Sequence, residues 1–163
     1  MTKKLISVFA LLAMFLTLAG CSNGNQKNTT FDTNAAQSAI EELNIYPMMV
    51  QVTDSDLATI GLTSDKIEKY MISIPLMNVQ SSLYIAVLPK QGQEKAVKDE
   101  LDAYMKVYEN TWAQYLPDQS QLVENRMMSE IKTGEGTYYV YIISEDNQKV
   151  FDAMKKGIVE NKA

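Results

Sequence analysis

Apolar positions along this chain recur at two spacings, and the switches between them divide it into helices and strands. Between Asn34 and Asn44, Ala36, Ala39, Ile40 and Leu43 share one helical face behind the capping candidates Asp32 and Thr33, and Pro47 closes the segment. Thr53, Asp54, Ser55 and Asp56 form a capping box ahead of Leu57 and Ile60, with Gly61 as the stop, which predicts a second, very short helix. The spacing changes to two between Lys66 and Ile74, where Tyr70, Ile72 and Ile74 oppose Lys69, Met71 and Ser73, and Ser82 to Leu88 is a nearly unbroken apolar run. Two strands joined by the Pro75 to Ser81 loop follow from that pattern. From Glu94 the helical spacing returns: Val97, Leu101, Tyr104, Tyr108, Trp112 and Tyr115 line one side of a helix about 33 Å long, which Pro117 stops. Glu94 with Lys98, and Asp102 with Lys106, stand four apart on its polar side and predict ion pairs. Arg126 to Lys132 and Thr137 to Ile143 read as a hairpin about Gly134, Glu135 and Gly136, and Ser144 to Asp146 cap a last helix bearing Val150, Phe151, Met154 and Ile158.

The predicted order is α-α-β-β-α-β-β-α. Hairpins followed by helices imply an α+β fold, an antiparallel four-stranded sheet with helices packed mainly on one face. The strand from Ser82 to Leu88 and its helix are echoed in pattern, not identity, by Tyr138 to Ile143 and the last helix. A composition of 46% hydrophobic and 21% charged residues is that of an ordinary globular protein and excludes collagen, long disorder and a multi-pass membrane protein.

The first residues do not fit the domain. Lys3 and Lys4 precede an uncharged run from Leu5 to Leu16 that is too short to span a bilayer comfortably and reads as a secretion signal. It ends in Leu18, Ala19, Gly20 and Cys21, which resembles the lipobox of bacterial lipoproteins. That resemblance implies removal of residues 1–20, a diacylglyceryl group on the Cys21 sulfur, and attachment of the chain to the extracytoplasmic side of the cell membrane. Two acyl chains make a stable anchor where one gives only marginal binding. Residues 21–31 then form a lipid-anchored flexible tether, polar from Ser22 to Thr30, and 32–163 a single α+β domain. Cleavage removes two lysines and takes the net charge from -5 to -7, so the domain has no electrostatic reason to lie flat on an anionic bilayer.

Missing residue types bound the chemistry. The chain has no histidine, and Cys21 is its single cysteine. Histidine-based acid/base catalysis, Ser-His and Cys-His pairs and imidazole zinc sites are thereby removed. Arg126 is the sole arginine and no basic stripe exists, which argues against nucleic acid as a partner. The methionines beyond the signal, Met48, Met49, Met71, Met77, Met105, Met127, Met128 and Met154, are scattered as gap-filling core residues rather than spaced as copper ligands. No metal or cofactor is expected. Asp54 and Asp56 are explained by capping, Glu124 and Glu130 lie on or beside a strand, and Arg126 either grips an anion or pairs near Glu124. No catalytic residue emerges, so the chain reads as a non-enzyme, with a small carboxylate-dependent envelope hydrolase or a purely structural accessory lipoprotein as the alternatives.

Two surfaces stand out as places for a partner. Pro75, Leu76, Met77, Asn78 and Val79 are unusually apolar for a connection, and either form a binding lip or have Leu76, Met77 and Val79 tucked under the first helix or packed with Met48 and Met49. Tyr139 and Tyr141 share one strand face and Tyr138 the other, so a sheet covered on one side exposes one of these sets. The lipobox, the Ile74-Pro75-Leu76-Met77-Asn78-Val79 motif, the Trp-containing long helix, Tyr115-Leu116-Pro117-Asp118 and the strand running into Ser144-Glu145-Asp146 together resemble the bacterial lipoproteins carrying domain of unknown function 4358. The resemblance implies the location and the fold over the mature domain, and no activity. The functional expectation is a non-catalytic envelope binding module for an envelope protein, a peptide or a small ligand, joined to the membrane through the lipid on Cys21.

Overall fold

Residues 28–46 and 48–161, described by a computed structural model of the chain, form seven strands and four α-helices. In chain order they are β1 (Thr29–Phe31), α1 (Thr33–Glu41), β2 (Met49–Gln51), β3 (Ile67–Pro75), β4 (Leu83–Pro89), α2 (Glu94–Trp112), α3 (Pro117–Glu124), β5 (Met127–Lys132), β6 (Thr137–Ile143), α4 (Asn147–Met154) and β7 (Ile158–Glu160). Short 3-10 turns occupy Leu57–Ile60, Ser64–Lys66 and Lys155–Gly157. The expected signal segment 1–20 and residues 21–27 of the expected tether 21–31, like the helix-closing role given to Pro47, lie outside the described residues.

The main sheet is antiparallel throughout, in the order β2-β3-β4-β6-β5, and β1 pairs with β7 in a second, two-stranded sheet. Every residue of the central strand β4 is buried. Its apolar side chains alternate between two cores. Leu83, Ile85 and Val87 meet Val97, Leu101, Met105 and Trp112 from α2, while Tyr84, Ala86 and Leu88 meet Ala36 and Ile40 from α1 and Val150 and Met154 from α4. A strand covered on both faces has no polar side to alternate with, which explains the unbroken apolar run.

The expectation of a four-stranded sheet with helices mainly on one face is therefore corrected: the sheet has five strands, and helices cover both faces. The element order changes too. β2, only three residues long and set against Ser73 to Pro75, is too short to show alternation. Leu57–Ile60 is a 3-10 turn rather than an α-helix, closed as expected by Gly61 at φ 74. Pro117 follows the end of α2 and opens α3 at its first position, where its missing N–H costs nothing. The last helix stops at Met154, and Ile158 belongs to β7. On α2 the ion pairs are Lys95 to Asp99 at 2.5 Å and Lys98 to Asp102 at 2.7 Å, not those set by Glu94 and Lys106.

The chain ends are brought together by backbone. Asn161 N–H donates to the Asn28 carbonyl at 2.7 Å, and Asp32 N–H to the Gly157 carbonyl at 2.8 Å. The Asp32 carboxylate caps α1 by accepting from Asn34 and Ala35 N–H. Beside this seam, Glu135 in the β5–β6 turn accepts from Phe31 N–H at 2.8 Å, Tyr138 O–H at 3.1 Å and Lys69 Nζ at 2.6 Å. Thr29 therefore sits against the hairpin turn, with its carbonyl accepting from Gly134 N–H at 2.7 Å.

Two consequences are measurable. A Cβ on Gly157 would stand 2.6 Å from the Asp32 carbonyl oxygen and 2.7 Å from the Ala36 Cβ, so Gly157→Ala should lower the urea-unfolding free energy by about 1–3 kcal/mol through overpacking. Gly92→Ala, at φ +81 with nothing within 4 Å, should cost only the left-handed backbone penalty of about 1–2 kcal/mol. For Glu135, burial raises the carboxyl, but the bonds from Lys69, Phe31 and Tyr138 outweigh it and hold the carboxyl below its ordinary value of 4.5. The unfolded chain then binds the proton more readily, so this contribution is complete above about pH 5 and is lost as pH falls through the folded-state value. Thermal midpoints measured from pH 6 to pH 2 should fall less steeply for Glu135→Gln than for the unsubstituted protein.

Candidate functional surfaces

The β3–β4 connection is built on a fixed base. Leu76 N–H donates to the Met48 carbonyl at 3.0 Å, tying the loop to the residue before β2. At its other end Ser81 N–H donates to Gln119 Oε1 at 2.8 Å, and Ser81 Oγ to the Gln119 carbonyl at 3.0 Å. Tyr108 O–H reaches the Ser81 carbonyl at 3.1 Å. Between these ties the apolar side chains turn outward: Leu76 is 60% exposed, Val79 44% and Met77 38%. Pro75, half-buried, ends β3 opposite Met49, and Asn78 is exposed at the tip. The segment is thus exposed rather than tucked under the first helix.

Neighbouring elements enlarge the apolar surface. Met48 stands exposed beside the loop, and Tyr115 and Leu116 are exposed at the α2–α3 corner that Gln119 ties to Ser81. An aromatic ladder leads to this corner along α2, with ring centroids 5.7 Å apart for Tyr104 and Tyr108, 6.1 Å for Tyr108 and Trp112, and 5.7 Å for Trp112 and Tyr115. Burial pushes the Tyr104 hydroxyl up to about 12, so it stays neutral. The segments that build this pole carry no formal charge, because Leu43 to Thr53, Tyr70 to Pro89 and Asn110 to Pro117 contain no Asp, Glu, Lys or Arg, and exposed Asp118 stands at its border in the first turn of α3. Tyr115, Leu116 and Met48 were missed by spacing arguments. The uncharged runs are the sequence signal that points to them.

The tyrosine face of β6 does not form one exposed surface. Tyr138 is buried under Phe31, with ring centroids 4.8 Å apart. Tyr141 is buried on the opposite face, and its hydroxyl donates to Asp102 Oδ1 at 2.6 Å. Only Tyr139 remains half-exposed, lining with Lys98, Met128, Ser129, Glu130 and Tyr141 a shallow cavity of about 160 Å³. The structure thus separates Tyr139 and Tyr141 from Pro75, Leu76, Met77 and Asn78. Lys98 and Asp102, which would supply charge to this cavity, are already paired with each other.

The carboxylates are engaged in structural bonds. Asp54 accepts from Tyr70 O–H at 2.6 Å, and Asp56 from Thr53 N–H at 3.0 Å and Thr53 O–H at 2.5 Å. Burial works to raise Asp102, but the bonds from Lys98 and Tyr141 hold it below the usual range; Glu100 is held low in the same way by Lys66 and Thr63. Asp56, Glu135 and Asp152 are also displaced downwards. Glu124 is exposed, and Glu130 lies 3.6 Å from Lys132. Arg126 pairs with Glu109 at 2.9 Å rather than near Glu124, and donates to the Val123 carbonyl at 3.0 Å. Among the described residues no group of three or more Asp, Glu, His or Cys side chains converges to hold a metal ion.

The chain was compared with known proteins at three levels. No curated protein and no solved structure matches it at a significant level. A protein-family profile described as Domain of unknown function (DUF4358) matches residues 41–144. That range holds β2 to β6 with α2 and α3, and so includes the exposed loop and the α2–α3 corner; it leaves out β1, α4, β7 and nearly all of α1. The match is thus narrower than the expected domain of residues 32–163. It nevertheless spans well over half of the chain, and the protein belongs to the DUF4358 family.

Proposed function

We propose that this protein is a lipid-anchored lipoprotein of the cell envelope, held on the extracytoplasmic side through Cys21, and that it acts as a non-catalytic binding module. The observation that carries the reading is the position of the uncharged apolar pole. Asn28 and Thr29 lie beside the β5–β6 turn, at the end of the sheet where β3 begins, whereas Leu76, Met77 and Val79 follow the other end of β3. Along β3 the two ends are about 26 Å apart. Residues 21–27 reach at most about 25 Å from an anchored Cys21 to Asn28. The tether therefore joins the domain at the end opposite the apolar pole, which leaves the pole available to an envelope protein, a peptide or a small ligand.

The electrostatics favour binding over hydrolysis. A carboxylate-dependent hydrolase needs one carboxyl held protonated by an upward displacement. Every displaced carboxyl among the described residues moves the other way. An uncharged lip with a rigid base instead offers apolar burial to a partner without desolvating ions.

Two substitutions test the two halves of the reading. Cys21→Ala should abolish incorporation of labelled fatty acid and move the protein out of the membrane fraction; retention through an acylated terminus would refute the anchor. Met77→Asp should eliminate the crosslinked partner or co-purifying ligand recovered from intact cells while changing stability by less than about 0.5 kcal/mol. Undiminished capture by that folded variant would remove the loop from the binding surface.

A further inference from the structure

β2 is an edge of the five-stranded sheet. Met48 and Val52 direct backbone groups to β3: the Met48 carbonyl accepts from Leu76 N–H at 3.0 Å, and Val52 N–H donates to the Ile72 carbonyl at 2.9 Å, with Val50 opposite Ile74 between them. In an antiparallel ladder the intervening residues point the other way, so Met49 and Gln51 turn N–H and C=O groups outward. No described strand pairs with that side. Such an edge is complementary to its own reversed copy. Met49 of one chain exchanges both hydrogen bonds with Gln51 of the other, and Val50 meets Val50 across the axis.

Charge distinguishes this edge from the other one. β5 carries exposed Glu130 and Lys132, which guard an edge against added strands. Leu43 to Thr53, which contains β2, has no charged residue, and Met48, Val50, Leu76 and Val79 stand exposed around it. An anchored chain, of net charge -7 once residues 1–20 are removed, meets a copy of itself against like-charge repulsion on most approaches. This uncharged edge is where that repulsion is weakest, and it favours a second copy as the occupant.

We propose that β2 pairs antiparallel with β2 of a second copy about Val50, joining the two sheets into one across an isologous dimer. The proposal rests on the lipid-anchor reading in one respect. A three-residue ladder is small beside the roughly 800 Å² per partner of a standard interface, so the pair depends on confinement of both chains to one membrane. The geometry permits that confinement. The symmetry axis of an antiparallel pair is normal to the sheet, so both copies keep their α1 and α4 layers, with Asn28, on the same side.

Cysteine crosslinking tests it in membranes holding the full chain. In the pair the two Val50 Cα atoms are about 4.5 Å apart, within disulfide reach, and the substitution site is 40% exposed, outside the core. Val50→Cys should form a disulfide dimer under mild oxidation in several-fold greater yield than Met128→Cys beside the charged edge. Adding Gln51→Pro to Val50→Cys removes an outward donor while leaving the backbone bonds to β3, and should lower the yield several-fold; Gln51→Ala, which loses the same side-chain bonds to Ser73 Oγ and the Tyr84 hydroxyl but keeps the donor, should not. A Val50→Cys yield no greater than that of Met128→Cys, a crosslink to a protein of another mass, or a yield unaffected by Gln51→Pro would each overturn the pairing. The unsubstituted chain provides a separate reading: a disulfide dimer there requires a free Cys21 thiol, and counts against the lipid anchor rather than against β2.

Discussion

The architecture depends on the burial of β4 on both faces. A strand whose seven residues are all buried needs a hydrophobic layer above and below it, and no single helix supplies both. α2, inserted between β4 and β5, covers one face. The other is covered by α1 and α4, from opposite ends of the described chain, and their meeting is secured by β1 with β7 and by the Asp32 to Gly157 bond. The need to cover β4 thus determines where the N-terminal segment leaves the domain, beside the β5–β6 turn. It also leaves the β3–β4 connection at the opposite end of the sheet. The exit of the N-terminal segment and the apolar pole are separated because one strand has to be covered twice.

The family match divides the molecule along the same line. Residues 41–144 contain the whole five-stranded sheet and the α2 layer. On the far face Tyr84 has Tyr46, inside that range, at 5.3 Å, whereas Met71, Ala86, Tyr138, Val140 and Ile142 share one core with Phe31 and the α1 and α4 side chains from outside it. Five apolar side chains of this size, at roughly 1.5–3 kcal/mol each for the larger ones on full burial, represent a large part of the stability of a small domain. The flanking segments are therefore structural members of the domain.

How much of this was legible in the sequence follows from the range of each interaction. β3, β4, β5, β6, α2 and α4 were visible because their periodicity or turn chemistry is local: alternation in Lys66 to Ile74, Gly134 and Gly136 at the hairpin, three-and-four spacing from Val97 to Trp112. β2 was hidden because three residues carry no period, and the β1–β7 pair because its partners are more than a hundred residues apart. Pro117 misled because proline ends one helix and begins another equally well. The fate of the tyrosines was undecidable locally. Tyr138 and Tyr141 are equally aromatic, and both are buried because each face of the sheet has its own helical layer, Tyr141's with α2 and Tyr138's with α1 and α4, the latter a long-range feature.

The exposed loop raises the opposite question, why an apolar segment is left in water. Leu76, Met77 and Val79 belong to a connection whose two ends are already committed, to Met48 on one side and to Gln119 and Tyr108 on the other. With the base fixed, the tip cannot fold back beneath α1 without breaking those bonds. Each lost bond would cost about 0.5–1.5 kcal/mol, against roughly 1.5–3 kcal/mol for burying one such side chain fully. Because Leu76, Met77 and Val79 are already about half covered, folding back gains only about half of that for each, a gain comparable with the loss of the bonds at the base, so the exposed arrangement rests on those bonds rather than on the apolar residues themselves. A partner that buries the tip gains the hydrophobic term while leaving the base unbroken. The same balance makes the rigidity of Ser81, Gln119 and Met48 as much a part of the binding surface as the side chains that touch the partner.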